Sequence, residues 1–379
     1  MLPLYREQFD SLKDCHYLIS NSLGAMPNAA REWSSKFIDL WQTRGVRAWE
    51  DEWWELSRVV GDKIGRIINT QPDTISMHPN VTSAQAVLLS CFDFGDKRNK
   101  VVMVEQEFPS LLYLYQRWLE PNGRLEIVKC PDSITAPTET IVDAIDESTL
   151  LVSISHVLFR SSYIVDILSI VEKAHKVGAM VVLDVYQSIG VLPIDVKELN
   201  VDFVVGGCLK WLCGGPSACF LYVRPELNDR LEPRMTGWFA HENPFAFDNS
   251  KMKYTTGSYR FLNGTTVVTV LYTCQAGLDI ISEIGVDRIR SRSIELTTRL
   301  INHAENNNWQ VFTPSQSSER AGTVAINVPN AEIVVKKLLQ NNFLVDYRPQ
   351  AGIRVSPHFY NTDDEIDELI EEIKKILTD

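Results

Sequence analysis

The sequence predicts an α/β fold: a large domain on a mostly parallel sheet and a smaller α+β domain. Three observations predict it. Short β-branched runs alternate with helical segments between residues 100 and 223. Those runs are apolar throughout, as expected of strands covered on both faces. After about Tyr272 the pattern changes to a long helix, short strands and an acidic terminal helix. The division expected is a large domain over 46–255, with 1–45 and 256–379 forming the small one; the length of 379 residues suits two units.

The elements follow in order. Residues 28–56 read as one helix carrying Trp33, Trp41, Trp49, Trp53 and Trp54, a content that suits a core or subunit interface better than a ligand box. Residues 57–68 place Val59, Val60, Ile64, Ile67 and Ile68 at helical spacing, and another helix opens at Thr82. Strands are expected at 100–105, 125–130, 150–157, 179–185, 202–207 and 218–223, the last free to run antiparallel. Helices at 108–120 and 167–177 separate them. Beyond, a helix runs from 272 to 306, strands fall at 323–328 and 343–346 with a helix between, and 363–377 closes the chain.

Composition narrows the partners. The net charge of −12 disfavours nucleic acid or an anionic membrane. No apolar run approaches the ~18–20 residues of a membrane span, and the first residues lack the basic start and apolar core of a signal peptide. The seven cysteines include no Cys-x-x-Cys pair, and the spacing of Cys208, Cys213 and Cys219 suits neither zinc nor a disulfide framework. A reducing cytoplasm and no metal are therefore expected.

Chemistry is sought beyond the carboxyl ends of the strands, where ligands of such sheets bind. Asp184 ends one strand; it reads as a turn former or as a carboxylate with a cationic partner. Lys210 follows the next strand among apolar neighbours. It reads as a snorkelling surface lysine or as a desolvated nucleophilic amine. Asn80-Val81-Thr82-Ser83 opens a helix, an ordinary cap or an anion site. A lysine for an imine, an aspartate for a pyridinium and a helix start for a phosphate together specify pyridoxal 5′-phosphate.

The segment from Asp184 to Pro216 resembles class V, fold-type I pyridoxal-phosphate enzymes, and over nearly its whole length the chain is most similar to the kynureninases. The resemblance rests on Ser20-Asn21-Ser22-Leu23-Gly24, Phe108-Pro109-Ser110, Gly237-Trp238, Tyr259-Arg260-Phe261-Leu262-Asn263 and Gly352-Ile353-Arg354 with Pro357. It implies that Lys210 forms the imine and Asp184 holds the ring nitrogen. It implies that Val81, Thr82, Ser110, Ser155 and Gln187 contact the cofactor and that Phe108 stacks on it. Arg354, with Asn21 and Ser22, would hold the substrate, an L-amino acid. Trp238 and Asn263 would complete the cofactor pocket of a neighbouring subunit, which implies a homodimer.

The reaction implied is hydrolysis of a side-chain Cβ–Cγ bond, with a class V aminotransferase, epimerase or Cβ lyase as the alternative. Several positions depart from the kynureninase pattern. Leu209 stands where a Tyr is usual, Gln187 where a His is usual and Leu111 where an Asp is usual, and the Gly-Gly-Pro-Gly run ends in Ser217. Leu209 has no proton to give, so weak or absent kynureninase turnover is expected unless Tyr186 or His156 points inward.

Overall fold

The computed structural model describes residues 2–132 and 134–378. Strand β1 (His16–Tyr17) and strand β2 (Ile75–His78) precede β3 (Lys100–Val104), β4 (Arg124–Val128), β5 (Thr149–Ser155), β6 (Met180–Asp184), β7 (Phe203–Gly207) and β8 (Cys219–Val223). Strands β2 to β8 form one seven-stranded sheet in the order β2-β8-β7-β6-β5-β3-β4. All neighbours pair parallel except at β8, which runs antiparallel to both β7 and β2.

The apolar runs bury both faces, as their composition demands. Along β6, Val181 and Leu183 pack into one core and Val182 into the other; along β3, Val102 and Val104 face one side and Val101 and Met103 the opposite one. That alternation is the two-residue period of a strand. A third core lies beneath a four-stranded antiparallel sheet of β9 (Gln310–Val311), β10 (Val324–Asn327), β12 (Asp346–Arg348) and β13 (Gly352–Val355). Between β10 and β12 comes β11 (Phe343–Leu344), which pairs parallel with β1 and ties the N-terminal segment to this region. The helix Val286–Asn306 serves two cores: Ile289 packs below the large sheet, and Leu296, Leu300 and Ile301 pack below the small one.

Two expected helices are broken, each at a glycine and the second also at Cys274. The first is α1 (Ala30–Arg44), which ends at Gly45 with φ +57°. A π-helical turn over Trp49–Trp53 follows, and then α2 (Leu56–Ile67). The tryptophans pack on one another and on Phe37, with Trp53 buried. The second divides into Val268–Thr273, Gln275–Ile284 and Val286–Asn306, with Gly285 at φ +83°. A positive φ at a helix end costs least where the residue lacks a Cβ. Among the described residues no helix is long and apolar enough to cross a membrane, and no group of three or more His, Cys, Asp or Glu is arranged to hold a metal.

Two more helices frame the site. Helix α3 (Val81–Leu89) is capped by Asn80, whose side-chain oxygen accepts from Ser83 N–H at 2.8 Å. Helix α4 (Pro109–Leu119) starts from Phe108 with Pro109 at its first position, where the missing N–H has no partner to lose.

Candidate active site

The carboxyl ends of β5, β6 and β7 open on a cavity of about 230 Å³. Asp184, the last residue of β6, pairs in register with Ser155, the last of β5. Asp184 Oδ1 accepts from Tyr186 N–H at 2.8 Å. Burial pushes the Asp184 carboxyl up to about 6, against the opposing pull of the Tyr186 amide and the Lys210 charge.

Lys210 sits in the turn after β7. Cys213 N–H donates to Lys210 O at 3.0 Å, and Gly24 N–H donates to Leu209 O at 2.9 Å. A Cβ on Gly24 would stand 2.1 Å from Lys210 O, so only glycine lets the N-terminal segment lie on this turn. Burial lowers the Lys210 amine to about 8, although the Asp184 charge works the other way. Its Nζ lies 4.6 Å from the centre of the Tyr186 ring and 5.9 Å from that of Phe108. The nucleophilic reading of this lysine gains a physical basis: the neutral amine is accessible near neutral pH.

Val81, Thr82, Phe108, Ser110, Ser155 and Gln187 line the same cavity. The backbone amides of Val81 and Thr82 belong to the first turn of α3, where no carbonyl lies upstream to receive them. Phe108 is 48% exposed and meets the edge of Phe159 at 5.4 Å between ring centres. Gln187 donates from Nε2 to Asn21 O at 3.1 Å and accepts from Trp211 Nε1–H at 3.2 Å. Asn21 is 1% exposed, yet neither end of its amide has a partner. Asn21 lies behind Gln187 and does not itself line the cavity.

Other expected residues lie elsewhere. Arg354, on β13, is buried and faces Asp346, its cross-strand neighbour on β12. Nε donates to Asp346 Oδ1 at 2.8 Å, NH2 donates to Oδ2, and NH1 donates to Phe159 O at 2.6 Å. One hydrogen on each terminal nitrogen is left, so the guanidinium offers its end but not its side. Ser22 lies beside Asn21 and does not line the cavity. Trp238 and Asn263 are also outside it. Trp238 joins an aromatic cluster with Trp54, Phe239, Phe245 and Phe247, and Asn263 is exposed.

Neither substitute proton donor reaches the cavity as one. The Tyr186 hydroxyl lies 3.7 Å from Cys219 Sγ, and burial raises its ionisation far above the usual phenol range. His156 is buried outside the cavity lining, and desolvation lowers it to about 4. Leu111, Leu209, Val157 and Phe159 make the rest of the wall apolar. Sequence reading did not single out Phe159, Asp346 or Glu107, a buried carboxyl that binds Ser155.

An amine, a carboxylate with a free oxygen, the first-turn amides of α3 and an aromatic wall suit pyridoxal phosphate, and the sheet is that of the fold-type I enzymes that carry it. The family model for class V aminotransferases matches residues 41–369, and the chain belongs to that family. Its cofactor is pyridoxal 5′-phosphate. An uncharacterized aminotransferase of Bacillus subtilis, YcbU, is 30% identical over 370 residues, 97% of this chain and 96% of its own. A kynureninase of Bacillus cereus is 28% identical over 98% of this chain and 91% of its own. Among solved structures, the apo cysteine desulfurase of Thermococcus onnurineus superposes with a TM-score of 0.89 at 22% identity, over 99% of this chain and 97% of its own.

The raised Asp184 pKa has a consequence for stability without cofactor. Folding favours the neutral acid, so this contribution is complete below the unfolded value of 3.8 and is lost as pH rises through about 6. Asp184→Asn is expected to remove that loss, making the apo protein more stable than wild type above pH 6 by on the order of 2–3 kcal/mol. Thermal melts of both apo proteins from pH 4 to 8 check it; parallel curves would refute it.

Proposed function

We propose that the protein is an aminotransferase-type enzyme acting on an L-amino acid, with Lys210 as its working acid–base group. The observation that carries this reading is the composition of the cavity wall. Among its described residues only Asp184, Tyr186 and Lys210 titrate, and the Tyr186 hydroxyl is turned toward Cys219. Moving a proton between two carbons of one conjugated system needs a single base. Hydrolysing a Cβ–Cγ bond needs a further proton donor at the substrate carbonyl, where Leu209 has none to give.

The cofactor, when bound, supplies an electron sink for charge that develops at the substrate Cα. The residues do the rest. The α3 amides of Val81 and Thr82, with the Thr82 and Ser110 hydroxyls, take the phosphate. Phe108 would stack on the cofactor, and Asp184 would hold its ring nitrogen protonated. Ser155 and the second amide hydrogen of Gln187 serve the cofactor oxygen. Lys210 Nζ would take the proton from the substrate Cα and deliver it to the other carbon of the conjugated system. The terminal nitrogens of Arg354 take the substrate carboxylate end-on, with the Asn21 amide and Ser22 beside it.

Kynureninase-like hydrolysis is the second reading, favoured by the kynureninase relatives of nearly full length. A homodimer is also proposed, in which Trp238 and Asn263 close the partner's cavity. The exposure of Trp238 with Phe245 and Phe247 supports this. The free cysteines suit a cytoplasmic location.

Borohydride reduction of the loaded protein is expected to fix the cofactor on Lys210. Lys210→Ala is expected to bind cofactor without the covalent link and to lose turnover by roughly 10²–10⁴-fold or more. Label on a different lysine would overturn the site.

Amino-group transfer from an L-amino-acid panel to 2-oxo acids, followed by mass spectrometry, tests the reaction. Anthranilate release from L-kynurenine is expected to be weak or absent in wild type and to rise in Leu209→Tyr. Robust wild-type release would establish the hydrolytic reading instead.

Sedimentation is expected to give twice the chain mass, and Trp238→Ala is expected to lower activity with Lys210 still labelled. An active monomer would exclude the shared cavity.

A further inference from the structure

Glu107 has no part in the reaction above, yet it is a second buried carboxyl, beside Asp184, and it touches Ser155 of the cavity wall. It follows β3, immediately before Phe108, and is 2% exposed. Its only direct partner among the described residues is Ser155. Ser155 N–H donates to Glu107 Oε1 at 2.8 Å, and Ser155 Oγ lies 2.5 Å from Oε2. Ser155 also lines the cavity, so its hydroxyl stands between the carboxyl and whatever the cavity holds.

The groups facing Glu107 decide its charge. They are Asp184 on β6, Tyr115 on α4 and Cys130 beyond β4, besides Ser155 on β5. None is a cation. A buried carboxylate with no positive partner is costly, and a second carboxyl nearby adds to the cost. Burial together with Asp184 pushes Glu107 up to about 8, while the two Ser155 contacts pull it down.

A serine hydroxyl has one proton and two lone pairs. Against an ionised Glu107 that proton must point at the carboxylate, and Ser155 presents only lone pairs to the cavity. Against a protonated Glu107 the acid proton occupies a lone pair of Oγ, and the serine proton is free to turn outward. We propose that Glu107 is a positioning residue that, when protonated, donates to Ser155 Oγ and so makes Ser155 a hydrogen-bond donor toward the cavity. On ionisation the proton leaves to solvent and Ser155 reverts to an acceptor there. The effect on bound cofactor rests on the reading that the cavity holds pyridoxal phosphate; the Glu107–Ser155 arrangement does not.

Two substitutions separate the possibilities. Glu107→Gln mimics the protonated acid at every pH, because its amide donates to Ser155 Oγ while its oxygen accepts from Ser155 N–H. Ser155→Ala removes the relay and leaves the acid. In infrared spectra of the apo protein, wild type is expected to show a carboxylic C=O band at pH 7 that disappears through about pH 8. Glu107→Gln is expected to abolish it, and Ser155→Ala to shift it to higher frequency, as an acid that loses its acceptor does. In protein loaded with pyridoxal phosphate, the cofactor absorbance of wild type is expected to change over the same pH range. Glu107→Gln is expected to keep the low-pH spectrum throughout, and Ser155→Ala to lose the transition. Absence of a band that depends on Glu107, or a band indifferent to Ser155→Ala, overturns the proposal. So does a cofactor transition that both variants keep. Failure of borohydride to label Lys210 strikes the cofactor reading alone, because the apo infrared arm still decides Glu107.

Discussion

Two opposite charges, the Lys210 ammonium and the Asp184 carboxylate, face one cavity at the sheet's carboxyl edge, and much of the surrounding structure holds them there. Each is shifted toward neutrality by burial, and each is pulled back toward its charged form by the other. The compromise leaves an amine that loses its proton near neutral pH without a dedicated base. Asp184 holds its place because it ends a central strand whose other residues are buried on both faces. Lys210 holds its place because the turn after β7 is clasped by the N-terminal segment through Gly24.

The large sheet was legible because buried parallel strands leave a plain mark: apolar runs a few residues long, separated by amphipathic helices. The expected strands at 100–105 and 179–185 correspond to β3 and β6, and the 218–223 run is the antiparallel strand β8. Helix breaks were less legible. Gly45 and Gly285 lie inside stretches whose apolar spacing continues past them, and periodicity does not register a single residue with positive φ. The edge strand β2 was missed because Ile75–His78 is short and carries Ser76 and His78 among its apolar residues.

Among the cavity residues, those adjoining short motifs were singled out from the sequence, and those whose meaning depends on a distant partner were not. Asp184, Lys210 and the α3 start announce themselves by lying at strand ends. Glu107 does not, since an acidic residue after a strand reads as a solvated turn until Ser155, on another strand, is seen against it. Asp346 is similar. Its cross-strand register with Arg354 is a property of the antiparallel pair, and no local pattern encodes it. Whether Tyr186 points inward was open in the sequence; its ring lines the wall, and the direction of its hydroxyl depends on Cys219 of β8.

The pairing of Arg354 with Asp346 bears on how an anionic substrate would find its seat. A lone buried guanidinium would draw carboxylates from a distance, and that attraction would fade as mobile ions accumulated around it. Here the cation is already matched by a neighbouring anion, and Arg348 reaches the same carboxylate from the exposed side at 3.1 Å. Recognition at such a seat relies on the direction of two short hydrogen bonds. Affinity for a carboxylate held there would therefore vary little with ionic strength.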